Sequence, residues 1–483
     1  MDANLTVAGN VLLLPSTNGA AVPFAETGYA STGFLVAMSA LVFLMTPGLG
    51  LFYSGLSNAK NALSLIMVCL LSMALISVQW LAVGFSFAFS ETGSFFMGNF
   101  DHAGFNNVDA RAMALTAPAV PSITFALYQM QFATITPALI FGSSASPRDR
   151  TTSSSAADIA GRRLVSDRFR IVPAMVFVVV WATLIYDPVA YWSWGARGWL
   201  HNLTCLSTTS LSQAPCGVGM YDFAGGGPVH IASGFAGLAY ALVLGRSTAD
   251  GGTRHKPHNV ANVFLGTALL WFGWFGFNGG SALAATARAA MAATVTTMAA
   301  SSGAIAWVVV DYLRHRKISG VGFCSGAVVG LVGITPGSGY VAPWASVVVG
   351  AVTSLVCNLA ANSPAMRKID DSLDTFSAHG LGGIIGNVLT GVFAQKWVGT
   401  LDGTALNGGA IDGNAAQVLY QIIGSAAIAA YSFVGSVVIL KVLDRIPGLH
   451  LRPTPEDQAA GADLVQMGEL AFALDADAPA KAV

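Results

Sequence analysis

Two stretches hold residues whose types and spacing can do chemistry. Asp222–Gly237 reads DFAGGGPVHIASGFAG, and Asp371–Gly391 reads DSLDTFSAHGLGGIIGNVLTG. In each, a carboxylate leads by eight residues a histidine that opens an apolar run: Asp222 before His230, Asp371 before His379. Of the 8 histidines, these two alone lie in strongly apolar surroundings. Imidazole titrates near neutrality, with an unperturbed pKa of about 6.5, and an ionisable group inside an apolar span points to function. Facing one another, two imidazoles would share a proton and offer ring nitrogens to a small hydrogen-bonding solute. The competing reading makes both satisfied core histidines. A metal centre is the poorer reading, since two histidines without a third ligand form an incomplete set.

Asp222 and Asp371 precede helix starts by several residues and suit N-caps. A buried carboxylate there would also draw an approaching cation, and residue type alone leaves both readings open. Aromatic residues crowd the same ends of the apolar spans: Tyr128, Phe132, Trp192, Trp194, Phe272, Trp274, Phe275 and Phe277. An interfacial belt accounts for such a set, and so, for a few members, does a cation–π cage.

The elements that must position these residues are membrane helices. The chain of 483 residues is 54% hydrophobic and 10% charged, with mean hydropathy +0.62. A soluble domain carries roughly 25% charged residues. Apolar runs of about 20 residues recur, the length that spans a bilayer. They predict eleven helices, near Ser31–Tyr53, Ala62–Phe89, Ile123–Phe141, Val172–Trp194, Val229–Gly245, Val260–Gly279, Ala289–Leu313, Val321–Thr335, Ala345–Ala361, Ala378–Ala394 and Val418–Leu443. The fold class is therefore an all-α polytopic membrane protein. A net charge of −1 argues against nucleic-acid partners, and 54 glycines suit close helix crossings.

Lys and Arg set the expected orientation. With the N-terminus outside, all of the 23 except Arg111, Arg197, Arg288 and Lys396 fall on the inner side. Residues 1–29 then form an extracellular segment, 30–443 the transmembrane domain with a cytoplasmic loop at 144–171, and 444–483 a cytoplasmic tail. No basic n-region opens the chain, so no cleaved signal peptide is expected. The histidine-bearing helices, five and ten, are five apart, which gives the two halves opposite orientation. That is an inverted repeat of two five-helix halves plus a final helix, with a substrate path between the halves.

Asn4-Leu5-Thr6 and Asn202-Leu203-Thr204 are glycosylation sequons on the expected outer face. Cys205 and Cys216 share one outer loop, either as a disulfide in an oxidising compartment or as two free thiols. Cys69, Cys324 and Cys357 sit in apolar spans and read as packing residues.

Five motifs, in order, carry a resemblance: PGLGLFYSGLSNAKN (Pro47–Asn61), YQMQFATITPALI (Tyr128–Ile140), DFAGGGPVHI, WFGWFGFNGGSAL (Trp271–Leu283) and DDSLDTFSAHGLGGIIG (Asp370–Gly386). The chain resembles the ammonium transporter (Amt/Mep/Rh) family from about Tyr29 to Phe472. With histidine rather than glutamate at the first twin position, it is similar to the high-affinity fungal and bacterial branches. The outer sequons lean toward a fungal or other eukaryotic Mep-like member. The resemblance implies a homotrimer in the plasma membrane with one pore per subunit. It also implies roles. Phe132 and Phe277 correspond to a stacked phenyl gate. Trp194, Phe132 and Ser281 correspond to an outer cation site shaped by Asp222, and His230 with His379 correspond to the pore histidines. Asp371 keeps a structural role.

One departure is Ser143–Val165, longer than the turn usual in the family, with a Ser/Thr/Arg composition that suits either a kinase-regulated loop or a plain solvated linker. The implied function is transport of ammonium or ammonia, without enzymatic activity, cofactor or metal, with methylammonium as a further candidate substrate. The alternative is an ammonium-sensing receptor that signals through its tail to a cytoplasmic regulator.

Overall fold

The structure is a computed structural model. It describes residues 28–143, 169–203, 219–245, 257–369, 371 and 373–472, together with a two-stranded pairing of Val7–Ala8 with Val11–Leu12. Asn4, Cys205, Cys216 and nearly all of the loop after helix three lie outside the described residues.

Among the described residues, eleven helices are long and apolar enough to cross a membrane. They are α1 Gly28–Leu56, α2 Ala59–Phe89, α3 Ser122–Ser143, α4 Ile171–Trp194, α5 Gly226–Leu244 and α6 Val260–Ala282. The rest are α7 Ala287–His315, α8 Gly320–Gly337, α9 Pro343–Ala361, α10 Phe376–Phe393 and α11 Ala416–Leu443. Each coincides with a predicted span, its ends shifted by at most three residues and mostly outward. At the start of α1 the helix reaches back to Gly28, whose carbonyl accepts from the Thr32 hydroxyl at 2.8 Å. α1–α5 and α6–α10 are the two inverted halves, and α11 lies outside the repeat.

Glycine lets the halves meet closely. A Cβ at Gly234 on α5 would collide with the backbone of Gly380 on α10. Side chains at this crossing would push the two histidine-bearing helices apart. α11 is tied to the bundle by polar bonds: Ser432 Oγ donates to the Ala232 carbonyl at 2.6 Å, and Trp181 Nε1 donates to Ser436 Oγ at 2.9 Å. Bonds buried away from water in this way hold register as well as adding stability.

Two faces can be named by their residues. The Trp194 face carries the end of α4 and the start of α5. The Asp371 face carries the end of α3 and the start of α10. The tail beyond α11 returns to the Asp371 face. There the Asp463 carboxylate accepts backbone N–H bonds from Leu63 (3.0 Å) and Ser64 (2.7 Å) in the first turn of α2. Gln466 Oε1 likewise accepts from Ile171 N, at the start of α4, at 2.7 Å. The tail thus satisfies donors that a helix start leaves without intrahelical partners.

Candidate functional site

The sequence DFAGGGPVHI builds its site locally. Gly225 adopts φ +107°, a left-handed conformation open to glycine, so the chain can turn sharply after Asp222. The Asp222 carboxylate then accepts three backbone N–H bonds, from Gly225 (2.8 Å), Gly226 (2.7 Å) and Gly227 (2.6 Å). These are the bonds of a helix cap. Burial pushes the Asp222 carboxyl up to about 6, against the lowering effect of those three N–H groups. Asp371 repeats the arrangement, accepting from Thr375 N (3.1 Å), Phe376 N (2.8 Å) and Ser143 Oγ (2.8 Å). Burial raises its pKa as well, again opposed by its hydrogen bonds.

Each capped helix opens with a π-helical turn, Gly226–Ile231 in α5 and Phe376–Leu381 in α10, and each turn carries its histidine. A π turn rotates the side chains it carries relative to a regular helix, and such turns cluster at functional positions. The result is direct contact. His230 and His379 are both buried, with Nδ1 to Nδ1 at 3.2 Å and ring centroids 5.2 Å apart. One Nδ1 must donate and the other accept. A neutral pair therefore has one Nε2 that donates and one that accepts, and the two exchange roles when a proton joins the accepting Nε2, the shared proton shifts across, and a proton leaves the other Nε2. His230 Nε2 has no hydrogen-bond partner among the described residues. The two histidines and their neighbours form no group of three metal-binding side chains among the described residues.

Above the histidines, toward the Trp194 face, Phe132 from α3 and Phe277 from α6 stack with centroids 4.1 Å apart and planes at 27°. Phe277 lies in a third π turn, Phe275–Gly279. Tyr128 Oη lies 2.8 Å from the carbonyls of Gly276 and Phe277 and 3.3 Å from Ser281 Oγ, which pins that turn. Trp194 stands edge-on to Phe132, centroids 5.9 Å apart at 90°, and its Nε1 donates to the Asp222 carbonyl at 2.9 Å.

Three cavities follow one line through these residues. A vestibule of about 480 Å³ on the Trp194 face is lined by Phe132, Trp194, Asp222 and Ser281. Beyond the phenyl stack, a space of only about 20 Å³ is lined by Phe277, His230, His379 and apolar side chains. A third, of about 30 Å³, runs from His379 past Thr375 and Ser377 toward the Asp371 face. The wide chamber has room for a hydrated solute, whereas each inner space has room for a molecule about the size of water.

The structure divides the aromatic set differently from a simple belt. Phe272 and Phe275 are exposed, as a lipid-facing belt requires, but Tyr128, Phe132, Trp192, Trp274 and Phe277 are buried, and Trp194 packs against that core. The belt explains the minority, because α3, the end of α4 and one side of α6 turn their aromatics inward, while Phe272 and Phe275 lie on the other side of α6. Asn202 Nδ2, the nitrogen of the second sequon, donates to the carbonyls of Ala196 (2.9 Å) and Gly198 (3.0 Å). Cys69, Cys324 and Cys357 are buried.

Within the membrane spans, two further buried ionisable residues stand outside the sequence-read site, and an acid or base flanked by apolar residues is the signal that finds them. Asp187 in α4 accepts from Gln79 Nε2 at 2.7 Å. Arg288 in the first turn of α7 lines the vestibule and is only 5% exposed.

Eleven spanning helices in an inverted repeat, enclosing a narrow apolar passage with two histidines, define a polytopic membrane transport protein. The Ammonium Transporter Family model matches residues 33–472. The chain is 43% identical to ammonium transporter 1 of Schizosaccharomyces pombe, covering 91% of this chain and 81% of that one. It is 40% identical to the ammonium transporter MEP2 of Saccharomyces cerevisiae, over 92% and 83%. The crystal structure of Candida albicans Mep2 superposes with a TM-score of 0.77 at 39% identity, covering 90% and 88%. The chain belongs to the ammonium transporter family.

Proposed function

We propose that this protein moves ammonium across the plasma membrane, as a homotrimer with one pore per subunit, N-terminus outside and tail in the cytoplasm. The observation that carries the reading is the order of cavities: a wide aromatic vestibule, a stacked phenyl pair, then a small, mainly apolar space along two bonded imidazoles.

The vestibule captures NH4+. Trp194 and Phe132 offer ring faces to a small cation, Ser281 Oγ accepts an N–H bond, and Asp222 adds negative charge while holding the start of α5. At the phenyl pair the cation gives up a proton, NH4+ becoming NH3 and H+. Neutral ammonia slips past Phe132 and Phe277, because an apolar passage charges any ion at least a few kcal/mol and a neutral solute far less. Inside, the donor end and the acceptor end of the His230–His379 pair replace water as hydrogen-bond partners. The released proton either stays behind while ammonia takes one on the far side, or it is carried through separately, onto the accepting Nε2 of the histidine pair and off the other.

The test is current and uptake in liposomes containing the purified protein, under an ammonium gradient and under a K+ gradient. Ammonium-dependent flux with K+ excluded supports the reading, and equal K+ flux overturns it.

A further inference from the structure

Arg288 has no place in the transport steps above, and it sits where a cation is least expected. It occupies the first turn of a 29-residue helix, Ala287–His315, where the helix dipole disfavours positive charge. It is almost fully buried, and it lines a vestibule read as a cation-capture site. A buried guanidinium persists only when its surroundings satisfy it.

Those surroundings come from three separate segments of the chain. Nε donates to the Gly339 carbonyl at 2.7 Å, in the turn after α8. Nη1 donates to Thr404 Oγ1 at 2.9 Å and pairs with Asp402 at 3.3 Å, both in the loop between α10 and α11. The guanidinium carbon lies 5.1 Å from the ring centroids of both Phe223 and Tyr340. Phe223 directly follows Asp222, and Tyr340 stacks on Tyr221 with centroids 4.7 Å apart at 19°. Tyr221 in turn receives a hydrogen bond at its hydroxyl from Asn407 N at 3.0 Å. Thr404 and Asn407 both face the vestibule. One side chain therefore joins the loop wall of the chamber to the aromatics that flank Asp222.

We propose that Arg288 is a positioning residue for cation capture: paired with Asp402, it holds the Thr404–Asn407 wall against the Asp222 turn and fixes the shape and charge of the vestibule. The proposal rests on the reading of the vestibule as the capture site. Geometry also separates it from passage, since Arg288 touches neither the phenyl stack nor the histidines among the contacts described. Its loss should weaken capture and leave the passage intact. A lysine keeps the charge but lacks the planar fork that serves Gly339, Thr404 and Asp402 together.

The experiment measures ammonium-driven current against concentration in liposomes, for the full chain and its variants. Arg288→Met is expected to raise the half-saturating ammonium concentration about tenfold and leave the maximal current within about twofold. Arg288→Lys should fall between it and the parent. Asp402→Asn leaves an unbalanced positive charge in the chamber and should raise the same concentration several-fold, with the effect shrinking at high ionic strength. The double change Arg288→Met with Asp402→Asn should be no worse than Arg288→Met alone. If Arg288→Met does not fold, Asp402→Asn and Thr404→Val carry the test. Unchanged half-saturation in every folded variant overturns the proposal, and so does maximal current falling in step with protein stability. Trp194→Leu is the control: if it shifts half-saturation and the Arg288 set does not, only this inference fails. If Trp194→Leu is silent too, the capture site itself is wrong.

Discussion

His230 and His379 meet Nδ1 to Nδ1 at 3.2 Å, their ring planes 29° apart. Each comes from a π turn behind a carboxylate cap, on helices of opposite direction. The contact joins the two halves of the repeat along a small space lined mainly by apolar side chains.

Replacing both rings removes every imidazole partner in that passage. His230→Ala with His379→Ala should abolish ammonium-driven current, or admit K+ alongside ammonium. Either change alone should be milder, since the remaining ring still presents a nitrogen. Current and uptake in liposomes decide the matter. Parental ammonium flux with K+ still excluded in the double variant would make the pair a packing contact.

Trp194 lies edge-on to Phe132 at the mouth of the stack. Trp194→Leu removes a partly desolvated cation–π surface of about 1–2 kcal/mol, close to a tenfold loss of apparent ammonium affinity. Half-saturation of current is the measurement, and an unchanged value takes Trp194 out of the site.

Asp222 is raised to about 6 by burial. As pH falls through that value the carboxylate takes a proton, and the vestibule loses negative charge. Capture should therefore weaken on acidification across the range bracketing 6. The stability sign is the reverse: a carboxyl whose folded pKa is raised binds its proton more tightly when folded, so its contribution is present at low pH and lost as pH rises through about 6. Asp222→Asn should weaken capture and flatten its pH dependence. A pH profile identical to the parent's in that variant would assign the titration elsewhere.

Asp463 caps α2 from the tail, through Leu63 N and Ser64 N. Asp463→Ala should cost about 0.5–2 kcal/mol, the scale of a lost cap, read as a lower melting temperature. Truncation after Leu443 removes the whole anchor and is expected to leave the protein in the membrane but reduce transport. Parental uptake by the truncated protein, at equal surface abundance, would show that the tail contributes stability alone.

Much of this molecule was legible in the chain. Eleven apolar runs gave eleven spans because a bilayer demands that backbone polar groups bond within each segment, and that demand is met by local sequence. The equal eight-residue spacing of Asp222–His230 and Asp371–His379 marked the repeat, since a cap and the turn it starts are likewise local. What only the tertiary structure decided lies between segments. The Nδ1 contact depends on π turns that rotate both rings and on the Gly234–Gly380 crossing that lets α5 and α10 approach. The Phe132–Phe277 stack joins α3 to α6, and which aromatics face lipid follows from that packing. In the sequence Arg288 is one outer-side cation among four, and Asp187 lies unmarked within an apolar span. Their partners Asp402 and Gln79 stand over a hundred positions away in the chain. Hydropathy reports the medium around a residue, whereas a hydrogen bond depends on a few ångströms between segments, a distance fixed when the helices pack.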